Sequence, residues 1–326
     1  MSEIAATSAV VAAIGIVRSH GARGGVGRRR GSGVHAVRGV SLDVKAGEIH
    51  GLVGQSGAGK STLARVLALL ERPDAGEVRY GGERVDNLAA ALLRPRRRTA
   101  QIVFQDPGTA LDPLQRVRAI VEEPLIVHGL HEGAGRRRRI DELLAAVGLA
   151  SDDEFLGRYP RELSGGERQR LAIARALACE PRALILDEPV SALDVSIRGQ
   201  VLNVLVELRE RLGLAMLLVA HDLALVGEVC DRVSVMLAGR IVEAGAAAAV
   251  LGSPLHPHTR FLVDSSLGAG SGHESEAAHR DADGAEAAAC PSLRSCERAA
   301  DDCRDEPELR QHHPGHWVAC YFPEDR

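Results

Sequence analysis

Gly54-Gln55-Ser56-Gly57-Ala58-Gly59-Lys60-Ser61 has the residue types and spacing of a loop that wraps phosphate. Glycines let a backbone curl until successive N–H groups point inward at anionic oxygens, and a helix starting nearby adds its positive end. Lys60 can then reach the β- and γ-phosphates of a nucleotide, the Ser61 hydroxyl can ligate Mg²⁺, and Thr62 follows on the first turn. An ordinary glycine-rich turn is the competing reading, and the flanks oppose it, because a strand-like run precedes the loop and helical spacing follows it. A second candidate lies at Leu184-Ile185-Leu186-Asp187-Glu188, an apolar run ending in two carboxylates. Asp187 at the tip suits Mg²⁺ held through its water shell, and Glu188 one residue on suits a general base that polarises water. Alone, such a pair is often just a solvated strand end; beside a phosphate loop it completes a metal site. The third is Leu163-Ser164-Gly165-Gly166-Glu167, where Ser164 suits a helix N-cap and Gly165 and Gly166 permit close backbone approach to an anion.

These groups need elements to hold them. Residues 10–17, 34–44 and 48–53 alternate and read as strands, the last two joined by the turn Lys45-Ala46-Gly47. Residues 60–70 switch to helical spacing, while 183–186 and 215–220 are short unalternating apolar runs, as in strands buried on both faces. Between those runs Val201, Leu205, Leu208 and Leu212 share one face of a helix opening near Val195. Strand, helix, strand in that order predicts an α/β fold: a parallel sheet with helices on both sides. Residues 108–180 read as helical, with Pro113, Pro124 and Pro160 as boundaries, a helical subdomain inserted into the core. The runs at 28–30, 96–98 and 136–139 are all arginine and read as solvated or membrane-facing basic patches rather than readers of bases.

At 326 residues the chain can bury a substantial core. Its 40 Lys and Arg stand against 44 Asp and Glu, a net charge of −4, which argues against a nucleic-acid binder driven by a basic field. No apolar run has the length of a membrane span. The mildly apolar start lacks the basic residues of a secretory leader, so a cytoplasmic location is expected. Cys179 and Cys230 stand singly in apolar surroundings and read as buried small hydrophobes, whereas Cys290, Cys296, Cys303 and Cys320 crowd the end of the chain. In a reducing compartment such a cluster suggests metal more than disulfides.

Residues 163–167, running on into Arg168-Gln169-Arg170-Leu171-Ala172-Ile173-Ala174-Arg175-Ala176-Leu177, resemble the signature motif of the ATP-binding cassette ATPases. Further motifs occur in that family's order. Gln105 in Val103-Phe104-Gln105-Asp106-Pro107 resembles its Q-loop, Ser191-Ala192-Leu193-Asp194 its D-loop, and His221 its switch histidine. The resemblance covers about residues 34–245 and implies a P-loop NTPase cassette over residues 1–252. Its parts would be a RecA-like core, an antiparallel β-subdomain and the inserted helical subdomain. It further implies ATP and Mg²⁺ as ligands, Glu188, His221 and Gln105 at the reacting phosphate, and Gln105 also at Mg²⁺. Ser164 and Gly166 would cap the γ-phosphate bound at a partner's loop, so that two cassettes close on two ATP molecules. The family's adenine-stacking aromatic has no counterpart in residues 18–30, where His20 is the one ring available.

Residues 187–196 are similar to the version found in oligopeptide and dipeptide importer ATPases, and residues 253–264 hold Ser253-Pro254-Leu255-His256-Pro257-His258-Thr259-Arg260, which resembles those proteins' His-Pro-Tyr-Thr element with His258 in place of tyrosine. Residues 265–289, poor in large apolar side chains, read as a linker to the cysteine segment 290–326. Its cysteines, separated by five, six and sixteen residues, also resemble that family's tail. They suit a [4Fe–4S] cluster first, zinc second and free thiols third, with His312, His313 and His316 as alternative ligands. The implied partners are a second, non-identical cassette, two membrane-spanning permeases and an extracytoplasmic binding protein, with no nucleic acid, and the place is the cytoplasmic face of a membrane. A nickel or other small-solute importer shares most of these features. A soluble ATPase acting on DNA or ribosomes is the alternative from a different class, opposed by the single cassette and the absence of a long coiled coil.

Overall fold

The computed structural model describes residues 9–21, 34–266, 289–293 and 296–324. The basic run at 28–30 and nearly all of the proposed linker lie outside the described residues. In chain order the elements begin with β1 (Ala9–His20), β2 (Val34–Lys45), β3 (Ile49–Val53), α1 (Lys60–Leu67), β4 (Ala75–Tyr80), β5 (Glu83–Arg84), α2 (Ala90–Arg97) and β6 (Ala100–Val103). The helices α3 (Pro107–Ala110), α4 (Val117–Val127), α5 (Gly133–Ala146), α6 (Asp153–Gly157) and α7 (Gly165–Leu177) follow. Then come β7 (Ala183–Asp187), α8 (Val195–Leu212), β8 (Ala215–Ala220), α9 (Leu223–Val229), β9 (Arg232–Leu237), β10 (Arg240–Ala246), α10 (Ala247–Gly252) and α11 (Pro257–Ser266). Two short strands close the chain, β11 (Arg310–His313) and β12 (His316–Val318). Among the described residues no helix is long and apolar enough to cross a membrane.

Two sheets are built from these strands. An antiparallel sheet has the order β2-β1-β4-β5, and an eight-stranded sheet has the order β11-β12-β10-β9-β3-β8-β7-β6. The run from β9 to β6 is parallel, as the strand–helix–strand order requires. The other three strands pair antiparallel, so the sheet is mixed where the sequence pattern predicts a parallel one. Alternate residues of the central strands feed two cores. Leu184 and Leu186 of β7 pack with the helices α4, α5 and α7, while Ile185 packs toward the antiparallel sheet. Burial on both faces is why these strands carry no polar alternation.

The region 108–180 is helical as expected, but Pro124 lies inside α4 instead of ending it. Its missing N–H forfeits one bond, that to the Ile120 carbonyl, while bonds beyond it, from His128 N–H to the Pro124 carbonyl and from Leu130 N–H to the Leu125 carbonyl, carry the chain on. The arginines at 96–98 and 136–139 are largely engaged within the chain: Arg96 pairs with Glu83, Arg98 with Glu180, Arg136 with Glu122, Arg137 with Asp141 and Asp153, and Arg139 with Glu142.

The cysteine segment is built into the core sheet. Val318 and Trp317 of β12 pair with Glu243 and Ala244 of β10. The Glu243 carboxylate is fully buried and accepts from Leu255 N–H (2.8 Å), His256 N–H (2.9 Å) and His316 Nε2 (2.7 Å). One satisfied carboxylate thus ties β10, the His-Pro element and the chain's end together, where an unpaired one would be prohibitively costly.

His50 on β3 is fully buried, its Nδ1–H donating to the Asp43 carbonyl and its Nε2 accepting from Ser234. Burial, with Arg232 nearby, pushes its pKa down to about 4. The unfolded chain therefore binds an extra proton between roughly pH 6.5 and 4, and stability is lost as pH falls through that window. Denaturant titration at pH 7 and pH 5.5 should show a His50-dependent loss of about 1 kcal/mol, absent in His50→Gln. An equal pH dependence in both proteins would contradict the neutral buried ring.

Candidate functional site

The parallel strands deliver the candidate residues to one edge. Val53 is level with Ala220, Asp187 with Val219, and Val103 with Leu186. The phosphate loop leaves β3 at Val53, His221 follows β8, Asp187 ends β7 with Glu188 just beyond it, and Gln105 lies two residues past β6. Residues far apart in the chain thus meet at the carboxyl ends of adjacent strands, where open α/β sheets bind ligands.

The loop is shaped by close approach. A Cβ on Gly54 (φ +151°) would sit 2.1 Å from the Met236 carbonyl oxygen, and one on Gly59 (φ +102°) 2.0 Å from that of Ala36. Only glycine fits at either position. Lys60 is buried, its Nζ donating to the carbonyls of Gly54 (2.7 Å) and Gln55 (2.9 Å). Burial lowers its pKa, against the pull of Glu188 and Asp187. The ammonium therefore stands ready to exchange carbonyl contacts for phosphate oxygens. Ser61 Oγ donates to Asp187 Oδ1 at 2.8 Å, so the two proposed Mg²⁺ residues already touch. Burial raises the Asp187 pKa, which a cation at that point would reverse.

Glu188 is held in a left-handed conformation (φ 50°), a costly state for a residue with a side chain. Its N–H donates to the Val219 carbonyl at 3.1 Å, and its Oε2 meets both His221 Nδ1 (3.2 Å) and Gln105 Nε2 (3.1 Å). Ser191, which sequence reasoning assigned no contact, completes the set: its Oγ donates to the Glu188 carbonyl and accepts from Gln105 Nε2 at 3.2 Å. His20, at the end of β1, hydrogen-bonds Thr62 Oγ1 through Nε2 at 3.1 Å, which puts the ring beside the first turn of α1.

The signature segment lies apart from this chain's own phosphate loop contacts. Ser164 caps α7, accepting from Glu167 N–H at 3.2 Å while the Glu167 carboxylate accepts from Ser164 N–H at 2.8 Å. A Cβ on Gly166 would lie 2.5 Å from Ile197 Cγ2, and one on Gly165 3.2 Å from Leu193 Cδ2. Packing against α8 and the loop before it is thus a second reason for glycine here. Asp194 precedes α8, and its side chain makes no capping bond.

Cys290, Cys296, Cys303 and Cys320, spread over thirty residues of chain, line one cavity with His256 and Phe322. Burial pushes the Cys290 thiol up to about 11 and raises that of Cys320. The neighbouring cysteines add to this by charge repulsion, so Cys290 and Cys320 favour the neutral thiol unless a cation lies beside them. Among the described residues no three His, Cys, Asp or Glu side chains surround a single point as one bound ion requires. The expected histidine ligands are corrected: His316 bonds to Glu243, and His312 and His313 lie on the exposed strand β11 away from the cavity. The imidazole that lines the cavity is that of His256, from the His-Pro element. Cys179 is buried, and Cys230 packs against the core, where burial pushes its thiol up to about 12.

Comparison with known proteins agrees with the geometry. The family described as ABC transporter matches residues 37–191. The ATP-binding cassette MJ0796, solved as a dimer in a post-hydrolysis state with ADP and Pi, superposes with a TM-score of 0.64 at 30% identity, covering 73% of this chain and 98% of that one. CbiO1 from Clostridium perfringens, part of the ABC transporter complex cbiONQ, superposes with a TM-score of 0.65 at 26% identity, covering 80% and 96%. The chain belongs to the ATP-binding cassette family of ABC transporters. Within it the chain is similar to the glutathione import ATP-binding protein GsiA, 47% identical over 249 residues in Salmonella paratyphi A and 48% over 230 residues in Escherichia coli K12. Those alignments cover 76% and 71% of this chain but only 40% and 37% of the relatives' length.

The contacts around Glu188 give a sharp expectation. Glu188→Gln keeps the hydrogen bond acceptor but not the base, so steady-state ATP hydrolysis should fall at least about 100-fold while nucleotide affinity stays within a factor of about three. Equal loss of binding and turnover would place Glu188 in structure instead of chemistry.

Proposed function

We propose that this chain hydrolyses ATP to power an ABC importer for short peptides. The observation that carries the ATPase reading is the meeting of Glu188, His221, Gln105, Asp187 and Ser61 beside the phosphate loop. In this reading the N–H groups of residues 54–61 and the Lys60 ammonium bind the phosphates. Ser61, Asp187 and Gln105 hold Mg²⁺, which when bound offsets the negative charge shared by the β- and γ-phosphates. Glu188 takes the proton of the attacking water, and His221 and Gln105, both on its Oε2, orient that carboxylate. His20 packs on the adenine. Ser164, Gly165, Gly166 and Asp194 serve the nucleotide held by a second cassette, whose closure assembles the complete site.

The cargo reading rests on the similarity to glutathione import ATPases, glutathione being itself a short peptide, together with the elements at 187–196 and 253–260. The partners proposed are a second cassette of different sequence, two permeases and an extracytoplasmic binding protein, with the chain on the cytoplasmic face of the membrane. Nickel or another small solute would be served by the same parts and is favoured by no observation beyond them.

For the cysteine cavity we propose a [4Fe–4S] cluster. Four cysteines, Cys290 and Cys303 buried and Cys296 and Cys320 half-buried, line one cavity without meeting at a point, which suits a multi-iron group with one thiolate per iron better than a tetrahedral zinc, whose sulfurs all lie about 2.3 Å from one centre. The cluster when bound supplies the positive charge that turns these thiols into thiolates. Protein purified without oxygen should carry about four iron and four sulfide per chain and absorb in the visible; colourless protein with stoichiometric zinc would reverse the assignment.

Tagged Glu188→Gln protein recovered from native membranes with ATP should bring two permeases and a second cassette. Recovery of ribosomal or DNA-repair proteins alone would overturn the transporter reading and leave the nucleotide chemistry standing.

A further inference from the structure

The tail reaches the phosphate loop by a route separate from the cysteine cavity. Glu306, three residues past Cys303, pairs with Arg240 Nε and lies 4.0 Å from Arg38 Nη2. All three side chains are half-buried or nearly so. Arg240 opens β10 just after the hairpin turn Ala238-Gly239, whose two residues have φ of 45° and 83°. That turn is bonded on both sides. Gly239 N–H donates to the carbonyl of Ala58 in the phosphate loop at 3.0 Å, and Arg38 N–H on β2 donates to the Gly239 carbonyl at 2.8 Å. A Cβ on Gly239 would lie 3.0 Å from the Ala36 oxygen, the same carbonyl that approaches Gly59. Thus β2, the hairpin turn and the phosphate loop form one contact, and the tail's carboxylate bridges its two arginine-bearing arms.

We infer that Glu306 is a positioning residue for nucleotide binding, holding β2 against the β9–β10 turn so that the phosphate loop keeps its phosphate-binding curve. The electrostatics give the reason. Arg38 and Arg240 carry like charges into a shared, partly desolvated space, where Arg38 disfavours the charged form of Arg240 and Glu306 favours it. Without the carboxylate the two guanidiniums push β2 and the turn apart. The turn's bond to Ala58 passes that displacement to the loop, whose glycines leave no slack at Ala36 and Met236. The tail is anchored independently of whatever the cysteines bind, through Leu309 against the core, Arg260 paired with Glu324, and β12 on β10. The inference therefore does not depend on the cluster proposed above.

Full-length Glu306→Gln should bind a fluorescent ATP analogue with Mg²⁺ about fivefold more weakly than the wild type. Adding Arg240→Met removes the repulsion and should bring affinity back to within about twofold, a recovery that simple loss of structure would not give. A single variant within about 1.5-fold of wild type, or a double variant no better than the single, overturns the inference. Because coupling is reciprocal, unmodified protein supplies an independent test. Saturating Mg-ATP should slow amide exchange in residues 304–309 together with 54–60, and unchanged exchange in 304–309 would contradict the link even if Glu306→Gln does not fold.

Discussion

Two backbone approaches govern the cassette. The Met236 carbonyl lies against Gly54 and the Ala36 carbonyl against Gly59, each where any side chain atom would overlap an oxygen. They press the loop between β3 and α1 into a tight curve, which the bond from Ala58 N–H to the Gln55 carbonyl closes. Such a curve is unfavourable for a free chain and persists only because surrounding strands over-determine it. The parallel strands β9, β3 and β8 set one side of that frame and β2 sets the other. The fully buried residues of the two cores hold the frame rigid, since closely packed interiors transmit displacement instead of absorbing it.

The reacting end depends on the same frame through register. Val53, Ala220, Asp187 and Val103 end their strands at nearly one level, so the residues just beyond them share a small space. Glu188 departs from β7 in a strained conformation that turns its carboxylate toward His221 and Gln105. Gln105 also leads into α3 and the helices beyond, so a shift of those helices would move one of the two groups holding the Glu188 carboxylate. Coupling between helical motion and hydrolysis therefore needs no long relay. It needs only the Gln105 contacts with Glu188 and Ser191 to change.

The cassette was readable from the chain because its chemistry sits in short contiguous motifs at strand ends, where composition alone reports backbone curvature, capping and charge. Ser164, Lys60, Asp187 and Glu188 occupy the local settings their motifs imply. What escaped depends on contacts between distant segments. Nothing local in Gly166 says that Ile197 bars a side chain there, and nothing in Ser191 says that it bridges Gln105 and Glu188. The tail shows the same limit more strongly. Strands of four and three residues carry no usable periodicity, and the Pro314-Gly315 dipeptide between them was the one turn signal that could have marked a hairpin. Its pairing with β10 depends on the buried Glu243, an acidic residue in an apolar strand, which is a cue to look for a buried partner. Pro124 misled for a physical reason: a proline forfeits a single backbone bond, and α4 offsets that loss by burying Val117, Ile120, Val121, Pro124 and Leu125.

Equilibrium binding of Mg-ATP to the full chain and to Gly59→Ala tests the governing constraint most directly. The account predicts saturable, Mg²⁺-dependent binding by the unmodified chain. It predicts a loss of at least about tenfold in the variant with helical content unchanged, because the added methyl must displace the Ala36 carbonyl or uncurl the loop. Equal affinity in a folded Gly59→Ala protein would contradict the claim that close backbone approach shapes the nucleotide site.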